Sequence, residues 1–127
     1  MDKPMGGDKD QRKLLGKRGE DIGAAWLEAK GMRILMRNYR CRIGEIDIIG
    51  QMEGAIVIVE VRSRSSDLWG TPAESVNERK KKKLRQVAAY YLYQYGKEDS
   101  ACRFDVVRIL FGQPDSAARV EWFPNAF

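Results

Sequence analysis

The chain has 127 residues and a net charge of +5, from 23 Lys and Arg side chains against 18 Asp and Glu. This length predicts one domain large enough to bury a core of its own, and the basic excess favours a polyanionic partner. Apolar runs such as Ala55–Val59 are much too short to cross a membrane. The polar N-terminal segment lacks the apolar stretch of a signal peptide, so we expect a cytoplasmic protein with no membrane partner.

Histidine is absent from the chain. Its absence excludes Ser-His-Asp and Cys-His catalysis, histidine acid–base chemistry and the usual zinc sites. Any catalysis must therefore use carboxylates, Lys, Arg, Tyr or Ser. The two cysteines, Cys41 and Cys102, are far apart in the sequence and have no partners at metal-ligand spacing, so we interpret them as reduced thiols.

Helix and strand patterns predict seven elements in the order αβββαββ, after a flexible tail over residues 1–10. The first helix, over 11–30, has an apolar stripe on one face and a stripe of small residues with Glu20 on the other, so it is predicted to pack on both sides. The second helix, over 72–95, begins at a Thr-Pro-Ala-Glu capping sequence at residues 71–74. The strands are predicted over Met32–Tyr39, Glu45–Gly50, Ala55–Arg64, Arg103–Phe111 and Arg119–Phe123. We expect one α/β domain, residues 11–127, with a mixed or antiparallel sheet between helices.

The predicted middle hairpin carries an unusual set of charged residues. If its loop is 51–54, Glu45 lies opposite Glu60 and Asp47 lies opposite Ile58. Strand alternation then places five side chains on one face of the sheet: Glu45, Asp47, Ile58, Glu60 and Arg62. Glu60 also interrupts an otherwise apolar strand, where an ionised carboxylate is costly unless it is paired or binds a cation.

Carboxylates this close repel one another, and the sequence leaves two ways to relieve the repulsion. The first is a divalent cation, for which oxygen ligands without histidine favour Mg²⁺ or Mn²⁺. Such an ion supports phosphodiester hydrolysis, and Arg62 would stabilise the charge that develops on the phosphate. The second is a structural ion pair of Arg62 with Asp47 or Glu60.

The same residues resemble the D…ExK core of the PD-(D/E)XK nuclease superfamily. They are Gly-Glu-Ile-Asp at 44–47 and Ile-Val-Glu-Val-Arg-Ser-Arg at 58–64. Within that superfamily the chain resembles the YraN-type family of small bacterial proteins, which are similar to archaeal Holliday junction resolvases. Further matches are Arg-Gly-Glu at 18–20, Arg-Asn-Tyr-Arg at 37–40 and Arg-Phe-Asp-Val-Val at 103–107. The resemblance implies a restriction-endonuclease-like αβββαβ core with a central mixed sheet flanked by helices.

The resemblance also implies roles for individual residues. Asp47 and Glu60 match the metal-binding carboxylates, and Glu20 matches a helix glutamate of resolvase-like members. Arg62 occupies the usual lysine position, and because arginine effectively keeps its proton, charge stabilisation or water orientation replaces a general-base role. The implied activity is a Mg²⁺- or Mn²⁺-dependent endonuclease acting on structured or branched DNA. Similarity to resolvases also implies a homodimer with two active sites.

A second charged feature follows the carboxylate strand. Residues 79–85 hold six positive charges in seven positions, more than the net charge of the whole chain. On a helix these residues wrap most of the circumference, and they form either a solvated face or a contact for the phosphate backbone with steep salt dependence. The candidate nucleic-acid-binding residues are Arg79, Lys80, Lys81, Lys82, Lys83, Arg85, Arg64 and Arg40.

Three further residue patterns have two interpretations each. Gln86 and Tyr90 have the Q-x-x-x-Y spacing of some nucleases in the superfamily, and core or surface packing also explains them. Trp69 either stacks on a base or sugar or caps the core. Glu45 is either an additional metal ligand or a neighbour of the metal-binding pair.

Three functions from different classes therefore stay open. The first is a metal-dependent endonuclease, and the second is a nucleic-acid-binding module that keeps the same fold without efficient catalysis. The third is a protein-interaction domain whose basic helix binds an acidic partner. Asp47→Ala separates the first two, because it should abolish cleavage while leaving binding intact.

Overall fold

The computed structural model describes residues 7–65, 76–112 and 118–127 of the chain. Within these ranges the element order agrees with the prediction, and strand bounds differ from the predicted ones by two residues at most. In chain order the elements are α1 (Gly7–Ala29), β1 (Arg33–Arg40), β2 (Glu45–Met52), β3 (Ala55–Ser65), α2 (Glu78–Gln94), β4 (Ala101–Phe111) and β5 (Arg119–Phe123).

The five strands form one sheet in the order β1-β2-β3-β4-β5. β3 and β4 run parallel, and the other neighbouring strands pair antiparallel. Parallel neighbours need a crossover connection, and α2 lies in the segment that joins β3 to β4. The mixed sheet flanked by helices is therefore confirmed. No helix in these ranges combines the length and the apolar character needed to span a membrane.

Alternating side chains of β3 divide the hydrophobic core into two layers. Ile56 and Ile58 pack in a cluster with Leu84 of α2. Val57 and Val59 point the other way, into a cluster that includes residues of α1. The two helices consequently cover opposite faces of the sheet, and β3 is paired along both edges at its centre.

α1 packs on the sheet through a face of small residues. Gly19, Gly23 and Ala24 are buried, and the small size of these residues lets the helix backbone approach β3 and β4 closely. Ala25 and Ala29 are exposed. Ile22 and Trp26 of the same apolar stripe pack against the cluster on the α1 side, and the ring of Trp26 meets that of Trp122 in β5. The prediction that both stripes of α1 are packed is therefore confirmed only in part, because the two alanines of the apolar stripe face solvent.

Both ends of α1 can be explained from the backbone. The structure describes α1 from Gly7 onward, so residues 7–10, which the sequence assigned to the tail, are helical. Polar residues without apolar periodicity still extend a helix whose following turns are packed. At the other end Met32 N–H donates to Leu27 C=O at 3.0 Å, and Gly31 has a φ of 105°. This is a Schellman motif, and it confirms the predicted stop at Gly31.

α2 begins at Glu78, with Asn77 as its N-cap. The Asn77 side chain accepts a 2.9 Å hydrogen bond from the Lys80 backbone N–H, which is the standard role of an N-cap asparagine. Val76 and Asn77 are not helical, so the prediction of a continuous helix from residue 72 is wrong. The capping sequence predicted at residues 71–74 lies outside the described residues.

The β2–β3 hairpin turns on two residues, Glu53 and Gly54, whose φ angles are 52° and 81°. Two successive positive φ values are typical of a type I′ turn, whose twist matches that of the strands. Met52 pairs with Ala55, so the predicted loop over 51–54 and its register are wrong. The pairing is shifted by two positions, which by itself would leave the alternation unchanged.

The alternation of β2 nevertheless breaks beside Asp47, because Ile46 packs in the cluster on the α2 side and Ile48 in the cluster on the α1 side. Glu45 consequently lines a cleft with residues of α1 while Glu60 pairs with Lys80 of α2, so the prediction that Glu45 and Glu60 share a face is wrong.

The Arg-Phe-Asp segment of β4 has a structural role. Asp105 is fully buried, and its carboxylate accepts hydrogen bonds from Trp122 Nε1 at 2.9 Å and from Asn125 N–H at 2.8 Å. Arg103 Nε completes its surroundings at 3.1 Å. Because a buried carboxylate needs such partners, Asp105 attaches β5 and the segment after it to the sheet.

Candidate active site

The candidate site lies where β2 separates from β3. The ladder between the two strands ends at the Ile48–Val59 pair, and Asp47 and Glu60 are the next residues on each strand. Asp47 Oδ2 accepts a hydrogen bond of 2.8 Å from the Val61 backbone N–H. The Asp47 side chain thereby satisfies a β3 donor beyond the end of the ladder. Asp47 and Glu60 are consequently neighbours, whereas the predicted register placed them two positions apart.

Glu60 is buried, with 4% of its surface exposed. Its Oε2 atom lies 3.3 Å from Arg62 Nη1 and 3.5 Å from Lys80 Nζ. Arg62 is two residues along β3 on the same face, and Lys80 comes from the first turn of α2. The ion pair between Arg62 and Glu60 that the sequence allowed is therefore present, and a second cation shares the same carboxylate oxygen.

Asp47 has an unusual protonation equilibrium. Burial raises its pKa to about 8, and the charge of Glu60 adds to the rise. The Val61 N–H lowers the pKa, Glu20 of α1 raises it, and Lys80 of α2 lowers it. Charges from both helices thus act on Asp47. The surroundings of Asp47 compensate the charge of its carboxylate only in part, so a bound cation would stabilise the ionised form.

Glu20 lies on the α1 side of the site and is half-buried. Burial raises its pKa, Arg37 lowers it, Glu45 raises it, and a hydrogen bond with Asn38 lowers it. Arg37 Nη2 is 3.9 Å from Glu20 Oε1 but only 2.7 Å from Asp21 Oδ1. The arginine is therefore held mainly by Asp21, and Glu20 keeps part of its hydrogen-bonding capacity for another group.

Glu45 lies outside the pair formed by Asp47 and Glu60. Its carboxylate forms a 3.0 Å ion pair with Arg40, and both side chains are largely exposed. Together they form one rim of an open cleft of about 630 Å³ between α1 and the β1–β2 hairpin. The residues that line the cleft are Lys13, Leu14, Gly16, Lys17, Glu20, Asn38, Arg40 and Glu45.

Three buried polar atoms near the carboxylates have no hydrogen-bond partner among the described residues. They are Arg37 Nε, Arg62 Nε and Ser63 Oγ. Two of them belong to arginines that contact Glu20 and Glu60. Buried polar groups in native proteins are generally satisfied by protein, water or ligand, so these three atoms are available to water or to a ligand.

The carboxylate oxygens of Asp47 and Glu60 are of the kind that a hard divalent cation takes as ligands. Among the described residues, no group of three or more His, Cys, Asp or Glu side chains is placed to hold a metal ion. Mg²⁺ often takes one or two carboxylates and completes its coordination with water and substrate phosphates, so two ligands are sufficient. Asp47 and Glu60 are the residues that would hold such an ion, and Glu20 is near enough to influence the charge of Asp47.

The basic residues of α2 point in different directions, as the sequence predicted. Lys80 is directed at the buried Glu60. Lys81 Nζ and Arg85 Cζ instead lie over the ring of Phe127, at 5.6 Å and 5.4 Å from its centre. These two cations are consequently engaged by the segment that follows β5, on a different side of the helix from Lys80.

The remaining candidates for nucleic-acid binding are distributed around the site. Arg79, Lys82 and Lys83 are exposed on α2, and the stem of Lys83 lies 3.4 Å from the position that a Cβ on Gly44 would take. Lys83 therefore neighbours the β1–β2 connection. Arg64 is half-buried and donates a 3.2 Å hydrogen bond to the Ser63 carbonyl.

The other two sequence patterns lie apart from the carboxylates or cannot be placed. Gln86 and Tyr90 are exposed on the surface of α2. Tyr90 is close enough to the buried Tyr39 to influence its ionisation. Trp69 lies outside the described residues.

Sequence reasoning missed three features of the site. It did not distinguish Lys80 from its basic neighbours, although an N-cap asparagine three residues earlier marks the first turn of α2. It did not identify Lys13 and Lys17, which precede Glu20 at the i, i+4, i+7 spacing of one helix face. Arg37 was quoted only as part of a motif, because its contact with α1 is tertiary.

Fold and site together define a mixed α/β protein in which carboxylates and basic side chains converge where two strands separate. Residues 19–109 match the model of the uncharacterised protein family UPF0102, and the chain belongs to that family. This agrees with the resemblance to a family of small bacterial proteins noted in the sequence.

Relatives align over nearly their whole length. A UPF0102 protein of Pelotomaculum thermopropionicum is 48% identical over 118 residues, which is 93% of this chain and 98% of the relative. One from Moorella thermoacetica is 48% identical over 116 residues, 91% of this chain and 97% of the relative. One from Geobacter sulfurreducens is 40% identical over 124 residues, 98% of this chain and 96% of the relative.

Proposed function

We propose that this protein is a metal-dependent endonuclease of the PD-(D/E)XK type that hydrolyses phosphodiester bonds in DNA, with structured or branched DNA as substrate. The observation that carries the proposal is the pair of neighbouring carboxylates, Asp47 and Glu60, at the point where β2 leaves β3. Placing two carboxylates side by side in a low-dielectric site is unfavourable. A Mg²⁺ or Mn²⁺ site gives this unfavourable arrangement a function.

Each residue of the site has a role in this proposal. Asp47 and Glu60 hold the divalent ion, which when bound polarises the phosphodiester and lowers the pKa of water. Arg62, whose Nε is unpaired among the described residues, stabilises the negative charge that develops on the phosphate. Glu20 accepts a hydrogen bond from the attacking water and orients it.

The cleft beside Glu20 supplies a path for the nucleic acid. Lys13, Lys17 and Arg40 line it, and each can neutralise a backbone phosphate without reading the base sequence. Lys82 and Lys83 on α2 extend the basic surface toward the β1–β2 connection. Backbone contacts of this type suit a protein that recognises DNA structure in preference to sequence.

A second candidate function is nucleic-acid binding on the same fold without efficient cleavage. The observation in its favour is that Glu60 already has two cationic partners, Arg62 and Lys80. An arginine in place of the usual lysine also removes a group that can give up its proton. In that case the carboxylates would organise the binding surface only.

Cleavage of an end-labelled four-way DNA junction tests the proposal. The junction is incubated with Mn²⁺, Mg²⁺ or EDTA and analysed on denaturing and native gels. Asp47→Asn preserves the shape of the side chain and removes its charge. Glu53→Gln is the matched control, because Glu53 lies at the exposed turn of the same hairpin.

We expect nicks that require the metal, disappear with Asp47→Asn and persist with Glu53→Gln. An intact junction that the wild-type protein still shifts on the native gel would support the binding module instead. The homodimer that the resemblance to resolvases implies is tested in parallel by light scattering with and without the junction.

A further inference from the structure

The proposed function gives no role to Lys80, which lies beside the buried carboxylate of Glu60. Lys80 Nζ lies 3.5 Å from Glu60 Oε2. The Lys80 side chain is 41% exposed, whereas that of Glu60 is 6% exposed. The ammonium group of Lys80 therefore sits between a buried acid and the surface where a substrate would arrive.

The backbone of Lys80 is fixed while its side chain has freedom to move. The Lys80 N–H donates to Asn77 Oδ1 at 2.9 Å, which anchors the first turn of α2. The side chain is a flexible four-carbon stem that ends in a compact charge. Arg62 contacts the same Glu60 oxygen at 3.3 Å and is the more buried of the two cations. Glu60 thus keeps one cationic partner if Lys80 leaves.

We propose that Lys80 is a phosphate contact released by the divalent ion. Without the ion, Lys80 pairs with Glu60 as observed. When Asp47 and Glu60 hold the ion, its two positive charges repel the ammonium group, which turns to a phosphate oxygen of the bound strand. This inference rests on the proposed metal site, and it adds a contact that depends on the state of that site.

The salt dependence of DNA binding tests the inference without using activity. The slope of log K against log salt counts the phosphates that the protein neutralises, at about 0.9 for each contact with duplex DNA. It is measured for wild type and for Lys80→Met in EDTA and in Ca²⁺, which takes oxygen ligands. Lys82→Met is the matched control, because Lys82 is exposed on the same helix two residues further on.

We expect Lys80→Met to keep the wild-type slope in EDTA and to lower its magnitude by about 0.9 in Ca²⁺. Lys82→Met should lower it by about 0.9 in both conditions. Equal losses for Lys80→Met in the two conditions, or no loss in either, would overturn the inference. If Lys80→Met lowers the melting temperature of the protein, the same measurements are made with Lys80→Gln.

Cleavage under saturating protein gives a second readout. We expect Lys80→Met to slow the single-turnover rate about 10²-fold, and Lys80→Arg, which keeps the charge, to restore most of it. A rate for Lys80→Met within twofold of wild type would overturn the contact. The wild-type protein could fail to cut while the effect of Lys80→Met on the salt slope still depended on Ca²⁺. That result would refute the proposed endonuclease activity and support the lysine–phosphate contact.

Discussion

At the scale of single residues, the main feature is that two carboxylates share a site that is largely removed from water. Asp47 and Glu60 interrupt strands whose other buried side chains are Ile and Val. The protein reduces the resulting repulsion in two ways. The charge of Glu60 is paired with the cations of Arg62 and Lys80. Asp47 has a pKa of about 8 and one backbone hydrogen bond, so its carboxyl group holds a proton below that pH.

The raised pKa of Asp47 makes the stability of the protein depend on pH. The folded state holds a proton that the unfolded state loses above the ordinary pKa of 3.8, so the free energy of unfolding falls as pH rises from about 4 to about 8. Asp47→Asn removes this dependence. We expect the variant to be more stable than wild type at pH 8, and its advantage at pH 8 to exceed that at pH 5 by at least about 1 kcal/mol.

Urea denaturation at the two pH values measures this difference in the presence of EDTA. Asp21→Asn is the control, because a hydrogen bond from Arg37 lowers the pKa of Asp21 and keeps it ionised at both pH values. Its effect should not change between pH 5 and pH 8. The same advantage for Asp47→Asn at both values would show that Asp47 has an ordinary pKa.

At the scale of elements, two helices bring the side chains to the site from opposite faces. α1 approaches the sheet closely enough that a Cβ on Gly19 would overlap Ser63 Oγ, and the next residue is Glu20. α2 directs Lys80 toward Glu60 from the other face. The positions of these two side chains therefore depend on how the helices are packed and capped.

Two glycines of α1 provide a matched test of its packing. A Cβ on Gly16 would meet no atom within 4 Å, so we expect Gly16→Ala to stabilise the protein by about 0.5–1 kcal/mol. Gly19→Ala should destabilise it by about 1–3 kcal/mol because of the overlap with Ser63. Urea denaturation with unchanged m-values measures both.

A double variant shows whether the overlap is the cause. Ser63→Ala removes the overlapping hydroxyl oxygen, so Gly19→Ala should cost less in the Ser63→Ala background than in the wild type. If Gly19→Ala stabilised the protein as much as Gly16→Ala does, the close packing of α1 on the sheet would be contradicted.

The N-cap of α2 can be tested in the same way. Asn77→Ala removes the acceptor for the Lys80 N–H and is expected to cost about 1 kcal/mol of stability. Asn77→Asp keeps an acceptor at the same place and should retain most of it. Thermal denaturation compares the two variants, and equal losses would mean that the side chain does not cap the helix.

At the scale of the whole molecule, the basic charge is unevenly distributed. Residues 79–85 hold six positive charges while the net charge of the chain is +5, so the rest of the chain is close to neutral. Within that run Lys81 and Arg85 lie over the ring of Phe127, although Arg85 is also exposed. Arg79, Lys82 and Lys83 are exposed on the same helix, and we expect a nucleic acid to contact these three cations first.

This arrangement predicts different salt dependence for two double variants. Lys82→Ala with Lys83→Ala should lower the magnitude of the DNA-binding salt slope by about 1.8, which corresponds to two lost phosphate contacts. Lys81→Ala with Arg85→Ala should change it less, because these cations are engaged by Phe127. Fluorescence anisotropy between 50 and 200 mM salt, a range of about fourfold, measures the slopes. Similar slopes for both pairs would contradict the assignment.

Much of the architecture follows from local patterns. The strand Arg119–Phe123 agrees residue by residue with the prediction, and Gly31 ends α1 as expected. The start of α2 was missed because a plausible capping sequence at residues 71–74 competes with Asn77. The register of β2 and β3 was missed because a four-residue loop and a two-residue turn preserve the same alternation.

The sequence by itself determined the donor chemistry of Asp47, Glu60 and Arg62 and the face of the sheet that Glu60 and Arg62 share. Residue type and strand alternation are local properties, and a register shift by two positions leaves them unchanged. Only the tertiary structure decided that Asp47 is the immediate neighbour of Glu60 and that Lys80 supplies the second cation. Those contacts depend on where a ladder ends and how a helix packs across the sheet, and both are set by elements far apart in the chain.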